Sequence, residues 1–365
     1  MFWKKYKSLN KQNNKINSNL NFFDHFKNLA SKETILSDQG KIEVENLFSE
    51  DDLFIDDLDV EVNIEELNNT IKTLKKNKSG GNDGIINEFI INAPSYVKDF
   101  LVLLFNTIIK LEYIPEGWCI GTIVPVFKSG DQGEVNNYRG ITLISVICKL
   151  FTKIMNSRLN KWAEKNNVLT EAQFGFRSGR GTTDCLFILH GLIEKMLSKG
   201  KKLYAVFVDY EKAFDYLDRG AIWAKLVKGG ISSKCIRIFR SLYEKMKLEV
   251  KYDCNNNFFK SSTGILQGEC TSPIFFSFFV NDLEDALDQE NGIETYDILI
   301  KLLMYADDMV IFSNTEDGLQ EALNNLDFYC KKWGITVNTL KTKLLYLRRV
   351  QLQKTQVTGH TEVKY

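Results

Sequence analysis

Two short apolar runs, Leu302-Leu303-Met304-Tyr305 and Met309-Val310-Ile311-Phe312, are interrupted only by Ala306-Asp307-Asp308. Runs of that length and composition suit strands and are too short for buried helices. Three intervening residues leave room only for a tight hairpin, with two acids at its tip. Upstream, Leu203-Tyr204-Ala205-Val206-Phe207-Val208 is a continuous apolar run that ends at Asp209. It reads as a buried strand with a carboxylate at its exit. If strand and hairpin share one sheet, Asp209, Asp307 and Asp308 converge at one rim. Such a cluster repels itself unless cations occupy it. Oxygen ligands on rigid strands are what Mg²⁺ takes, with water and substrate phosphates completing its shell. Two such ions about 3.5–4 Å apart can activate a 3′-hydroxyl and stabilise a leaving pyrophosphate. An isolated Asp-Asp is more often a solvated turn; it is the flanking apolar runs that make this pair specific.

The remaining periodicity is largely helical in the first half and mixed in the second. Ile64, Leu67, Ile71 and Leu74 share a face, as do Val97, Phe100, Leu101, Leu104 and Ile108. Ile147, Leu150, Phe151, Ile154 and Met155 mark another helix. Cys185, Leu189, Leu192 and Met196 mark a fourth, with Thr182 or Thr183 as its N-cap. Leu319, Leu323, Leu326, Cys330 and Trp333 form a stripe after the hairpin. Residues 1–62 show little periodicity, but their aromatics Phe2, Trp3, Tyr6, Phe22, Phe23 and Phe26 predict partial packing. No internal repeat or Gly/Ser linker is present.

Composition excludes several classes. A chain of 365 residues with only 4 Pro can bury one large core or two modest ones. No apolar run approaches the roughly 18 residues of a membrane helix, and the start lacks a signal-peptide core. Seven Cys without a C-x-x-C pair, and only 3 His, give neither a disulfide framework nor a zinc site; a reducing, intracellular setting is expected. The net charge of zero hides a division. Residues 31–66 hold 2 basic and 13 acidic residues, whereas 67–365 hold 39 basic and 33 acidic. A mildly basic body suits a polyanionic partner, although a balance this small is also ordinary surface charge.

Tyr305-Ala306-Asp307-Asp308 resembles the YADD hairpin of reverse transcriptases, and the chain resembles the polymerase of non-LTR (LINE-type) retrotransposons. The likeness runs in order from about residue 60 to 345. Val208-Asp209-Tyr210-Glu211-Lys212-Ala213-Phe214-Asp215 resembles the palm strand with its D-x-x-K-A-F-D pattern. Gly264-Ile265-Leu266-Gln267-Gly268, continuing to Ser272-Pro273, is similar to G-x-x-Q-G-x-x-x-S-P. Trp333 to Asn338 with Lys341-Thr342-Lys343 resembles the W-x-x-x-x-N-x-x-K-T-K motif. Lys78-Ser79-Gly80-Gly81-Asn82-Asp83-Gly84, Asn137 to Leu143, and Phe174-Gly175-Phe176-Arg177 match further family blocks.

The resemblance implies roles by position. Asp209 and Asp307 would bridge two Mg²⁺ ions, with Mn²⁺ as the substitute, and Asp308 would support them. Phe214 would be the steric gate that rejects a 2′-hydroxyl, making dNTPs the substrates. Gln267 and Gly268 would lie beside the incoming nucleotide. Lys128 and Arg139 would hold its triphosphate. Lys341 would protonate the leaving pyrophosphate. Lys75, Lys76 and Lys78 would meet the template backbone. Asp215 is expected at a helix N-terminus, and Ser272 as a cap with Pro273 behind it. Taken alone, each basic residue would be surface charge and Phe214 a core side chain.

The expected architecture is α+β: a right-hand polymerase palm with an antiparallel sheet and packed helices, plus mostly helical fingers. The expected domains are a lead or linker segment (1–62), fingers (63–202), palm (203–349) and a tail (350–365). A thumb and an upstream endonuclease are expected to be missing from this chain, so weak activity is anticipated. The expected partners are an RNA template, a DNA primer and dNTPs, with no membrane; oligomeric state is open. The nucleus is a family expectation. Two alternatives stand: an impaired element remnant that only binds RNA, and an RNA-dependent RNA polymerase.

Overall fold

A computed structural model of the chain describes residues 20–48, 52–251, 257–287, 292–295 and 297–348. Phe2, Trp3, Tyr6 and the 350–365 tail lie outside the described residues. In chain order the strands are β1 (Ile120–Phe127), β2 (Tyr138–Leu143), β3 (Leu203–Val208), β4 (Lys247–Val250), β5 (Phe259–Lys260), β6 (Ile293–Thr295), β7 (Ile298–Ile300), β8 (Leu302–Tyr305), β9 (Asp308–Ser313) and β10 (Lys343–Leu347). The chain divides into two compact units. One takes Met1–Thr170, Tyr210–Asp282 and Phe328–Thr336; the other takes Glu171–Asp209, Leu283–Asp327 and Val337–Tyr365.

The second unit is built on a four-stranded sheet in the order β10-β3-β9-β8. All its pairings are antiparallel. Strands pair with both edges of β3, and its run is apolar because side chains on both faces, Leu203 and Ala205 on one, Val206 and Val208 on the other, are buried, a helix covering the first. That helix, Thr182–Ser198, carries the expected apolar stripe. Leu192 and Met196 share a buried cluster with Leu203, Ala205, Leu303 and Phe312. Each of the leucine, methionine and phenylalanine side chains among them contributes about 1.5–3 kcal/mol when fully buried. The helix cap differs from expectation: Gly181, not a threonine, is the N-cap. Its N–H donates to the Asp184 carboxylate at 2.7 Å, so the acid three residues in supplies the acceptor.

The first unit combines helices with a second sheet, ordered β2-β1-β4-β5. The expected helices are present over Ile64–Lys72, Ser95–Leu111 and Val146–Lys165. The segment between them adds strands that helical periodicity did not flag. In β1 burial alternates along Ile120-Gly-Thr-Ile-Val-Pro, the period-2 signature of a sheet. Pro125 is tolerated there because pairing to β4 spans only Ile120 to Ile123. Helices Arg219–Lys228, Ser233–Glu244 and Ser272–Phe279 bring Trp223, Phe239, Tyr243 and Phe275 into one aromatic cluster.

The weakly periodic lead is structured where described. Helix Phe22–Ala30 buries Phe22 and Phe26, and Phe22 meets Tyr138 edge-on at 4.9 Å. Downstream, Arg158 is buried and gathers the acidic stretch around itself. Its guanidinium donates to Leu58 O (3.2 Å), Val60 O (2.6 Å) and Glu61 O (3.2 Å), and pairs bidentately with Glu66 (2.8 and 2.7 Å). No helix among the described residues is long and apolar enough to cross a membrane.

Candidate active site

The hairpin forms as its spacing requires. Tyr305 pairs with Asp308 across a two-residue turn of Ala306 and Asp307. Ala306 has φ +59°, and Asp307 is not among the positive-φ residues. A left-handed first position alone is the pattern of a type II′ hairpin turn, which favours glycine there. β3 lies on the other side of β9, with Val208 opposite Met309. Asp209 is therefore the first residue past the strand, level with the start of β9. Asp307 is half-buried and Asp308, the first residue of β9, is exposed.

Asp209 is fixed through its backbone. Its carbonyl accepts from Asn338 N–H at 2.7 Å, and its N–H donates to Thr342 Oγ1 at 3.3 Å. Both partners belong to the turn leading into β10. Lys341 Nζ, in the same turn, stands 3.7 Å from Asp209 Oδ2. That oxygen is buried and has no hydrogen-bond partner. A buried carboxylate oxygen without a donor is costly unless a cation completes it, so the residues present fit a divalent ion. Among the described residues, however, no three His, Cys, Asp or Glu side chains gather closely enough to hold a metal. The expected convergence of Asp209, Asp307 and Asp308 into one metal-holding cluster is therefore not met: the two strand ends are adjacent in the sheet, but the three carboxylates do not close together on one point.

A separate group of predicted residues assembles in the first unit. Gln267 Nε2 donates to both Asp215 carboxylate oxygens, at 2.8 and 3.0 Å. Gln267 O accepts from Thr142 N–H of β2 at 2.7 Å. Gly268 has φ +108°, where a side chain is strained, and a Cβ there would lie a tight 3.0 Å from Thr142 O, so the position favours glycine. Phe214 is half-buried, its ring stacked on Phe276 at 5.0 Å. Asp215 is not the helix N-terminal acid expected. It lies in the turns before helix Arg219–Lys228, whose cap is Asp218. Burial pushes the Asp215 carboxyl upward, opposed by the Gln267 hydrogen bond and by Lys212 and Arg139. The Ser272 expectation also shifts by one residue: Thr271 is the N-cap and Ser272 opens the helix with Pro273.

The remaining predicted cations are exposed. Lys128 follows β1, and its N–H donates to Asn137 O at 2.9 Å; Arg139 lies on β2 opposite Val126. Lys75, Lys76 and Lys78 follow helix Ile64–Lys72, where Lys75 O accepts from Asn87 Nδ2 at 2.8 Å.

Asn338 and Thr342 lie within a family-like motif whose pattern assigns them no task. Arg219 belongs to no motif, yet its buried guanidinium donates to Gly264 O (2.9 Å), Tyr243 O (2.9 Å) and Thr263 O (3.1 Å). Burial lowers this guanidinium to about 10. Arg219 thereby anchors the segment that carries Gln267. An Arg four residues past Asp215 offered no periodic signal; only its carbonyl partners reveal it.

A family model described as reverse transcriptase (RNA-dependent DNA polymerase) matches residues 127–365. The chain belongs to the reverse transcriptase family. Its curated relatives include a probable RNA-directed DNA polymerase from transposon BS of Drosophila melanogaster, 29% identical over 77% of this chain and 32% of the relative. Another is the RNA-directed DNA polymerase from mobile element jockey of Drosophila funebris, 27% identical over 77% of this chain and 31% of the relative. The chain thus spans about a third of the length of these relatives. Among solved structures it is similar to apo telomerase from Candida Tropicalis truncated from the C-terminal domain. That likeness has a TM-score of 0.48 at 16% identity and covers 71% of this chain and 57% of the other.

Proposed function

We propose that this chain carries the nucleotide-adding centre of an RNA-directed DNA polymerase from a non-LTR mobile element. On this reading the β10-β3-β9-β8 sheet is the palm sheet, and the β1–β2 hairpin with Lys128 and Arg139 belongs to the fingers. The supporting observation is the buried Oδ2 of Asp209, which makes no hydrogen bond and has only the Lys341 ammonium at 3.7 Å, at a strand end beside the Asp307 hairpin.

Asp209 and Asp307 would hold a pair of divalent ions, Mg²⁺ in the cell, with triphosphate oxygens completing the shells. Held by these residues, such ions would supply Lewis acidity toward a primer 3′-hydroxyl and positive charge to offset that on a leaving pyrophosphate. The protein does the positioning. Asn338 and Thr342 fix the Asp209 backbone, and the turn fixes Asp307. Lys341, a flexible point charge 3.7 Å from Asp209, would deliver a proton to pyrophosphate. Phe214 would stack under the sugar and exclude a 2′-hydroxyl. Gln267, held by Asp215, would meet the nucleotide base. Lys75, Lys76 and Lys78 would take template phosphates.

Primer extension on an RNA template with Mg²⁺ and dNTPs tests the assignment. Asp209→Asn keeps the backbone bonds and removes the charge. Extension should fall by about two orders of magnitude or more, with the thermal transition preserved. Undiminished extension by Asp209→Asn contradicts the proposal.

A further inference from the structure

We propose that Gln173 is a positioning residue for the carboxylate hairpin: its buried side-chain amide clamps the backbone of Ala306 and fixes the turn that presents Asp307. The inference rests on the reading of Asp307 as a metal ligand and extends it to a residue outside the family motifs recognised in the sequence.

Segment 172–175 lies along the free edge of β8. Phe174 N–H donates to Met304 O and Met304 N–H to Ala172 O, both at 2.8 Å, making Gln173 and Met304 a parallel bridge. Gln173 is wholly buried. Its Oε1 accepts from Gly175 N–H at 2.8 Å and from Ala306 N–H at 3.1 Å. Its Nε2 faces Ala306 O at 3.4 Å. Two N–H donors converging on one atom require an oxygen there, which fixes the orientation of the amide. Gly175 completes the seat: a Cβ there would fall on Ala306 N and lie 2.9 Å from its Cα.

The turn needs such a clamp. Ala306 holds φ +59° at a position where glycine is preferred. A left-handed non-glycine residue persists only where its surroundings over-determine it. A two-residue turn has few bonds of its own, and both backbone polar groups of Ala306, its N–H and its C=O, face Gln173. Loss of the side chain strands two buried N–H groups and frees the residue that leads into Asp307.

The test uses the full chain with Gln173→Met, similar in length but without the acceptor, and Gln173→Glu, which keeps an oxygen. Three quantities are read: hydrogen exchange of the Ala306 amide, Mn²⁺ binding by electron paramagnetic resonance without nucleotide, and kcat against KM for dNTP. For Gln173→Met we expect Ala306 exchange at least about tenfold faster and Mn²⁺ binding about tenfold weaker. The activity loss should lie in kcat, with KM little changed. Gln173→Glu keeps the acceptor but sets a buried carboxylate oxygen against Ala306 O in place of Nε2, so it too should speed Ala306 exchange, and by less at low pH, where the protonated acid can donate.

Unchanged Ala306 exchange in Gln173→Met overturns the clamp, as does faster exchange with unchanged Mn²⁺ binding and kcat. Asp307→Asn separates the two levels. If it loses Mn²⁺ and Gln173→Met does not, only the clamp falls; if it binds Mn²⁺ like the parent, the metal reading falls and the clamp's role falls with it. Should Gln173→Met not fold, the parent alone decides, because an Ala306 amide exchanging at the unprotected rate overturns the proposal.

Discussion

Phe214 and Asp215 are adjacent and carry different kinds of information. Phe214 offers the face of an aromatic ring steadied from behind by Phe276. If that ring excludes a 2′-hydroxyl, Phe214→Ala should raise rNTP incorporation relative to dNTP by about tenfold or more, measured as a ratio of kcat/KM values. An unchanged ratio removes the gate and reopens the RNA-polymerase alternative. Asp215 is raised by burial, so the folded state holds its proton to higher pH than the unfolded chain does. Stability from the neutral carboxyl is complete below the ordinary value of 3.8 and is lost as pH rises through the raised one. Urea midpoints should therefore fall over that window in the parent and stay flatter in Asp215→Asn. Matching curves would contradict the assignment. From sequence, Asp209, Asp307 and the glycine at 268 were legible because motif spacing exposes them. The environment of Asp215 was not, since the Gln267 amide that holds it comes from 52 residues downstream.

Elements defined by period were legible: the YADD hairpin, the β3 run and the amphipathic helices stand where apolar spacing predicts. Strands β1 and β2 were missed because Gly121, Pro125 and Gly140 interrupt any simple alternation in their sequences. The acidic stretch was missed as an ordered element for a related reason. Its order comes from distant partners rather than from its own pattern: Arg158 takes three of its carbonyls, Ser233 accepts from Leu53 N–H, Ser232 donates to Asp59, and Asn106 bonds Val62. Arg158 is nearly inaccessible and Glu66 only partly exposed. Arg158→Met should then cost about 3 kcal/mol of stability, because it leaves Glu66 and three carbonyls without their donor. Chemical denaturation reads this directly. A loss below about 0.5 kcal/mol, the scale of an ordinary surface change, would mean that the segment is held by something else.

For the whole molecule, family membership and site geometry meet at the second unit's sheet, where three chain segments supply Asp209, the hairpin and the 338–342 turn. Curated relatives extend well beyond the span matched here, so the polymerase reading concerns the centre this chain contains. Its central claim is that Asp209 and Asp307 share divalent ions. The most direct measurement replaces Mg²⁺ with Fe²⁺, adds hydrogen peroxide and ascorbate, and maps backbone scission by the hydroxyl radicals formed as the bound iron reduces the peroxide. The account predicts two cuts, near residues 209 and 307, suppressed by excess Mg²⁺ and absent from Asp209→Asn. Scission confined to other segments, or unaffected by Mg²⁺, would contradict it.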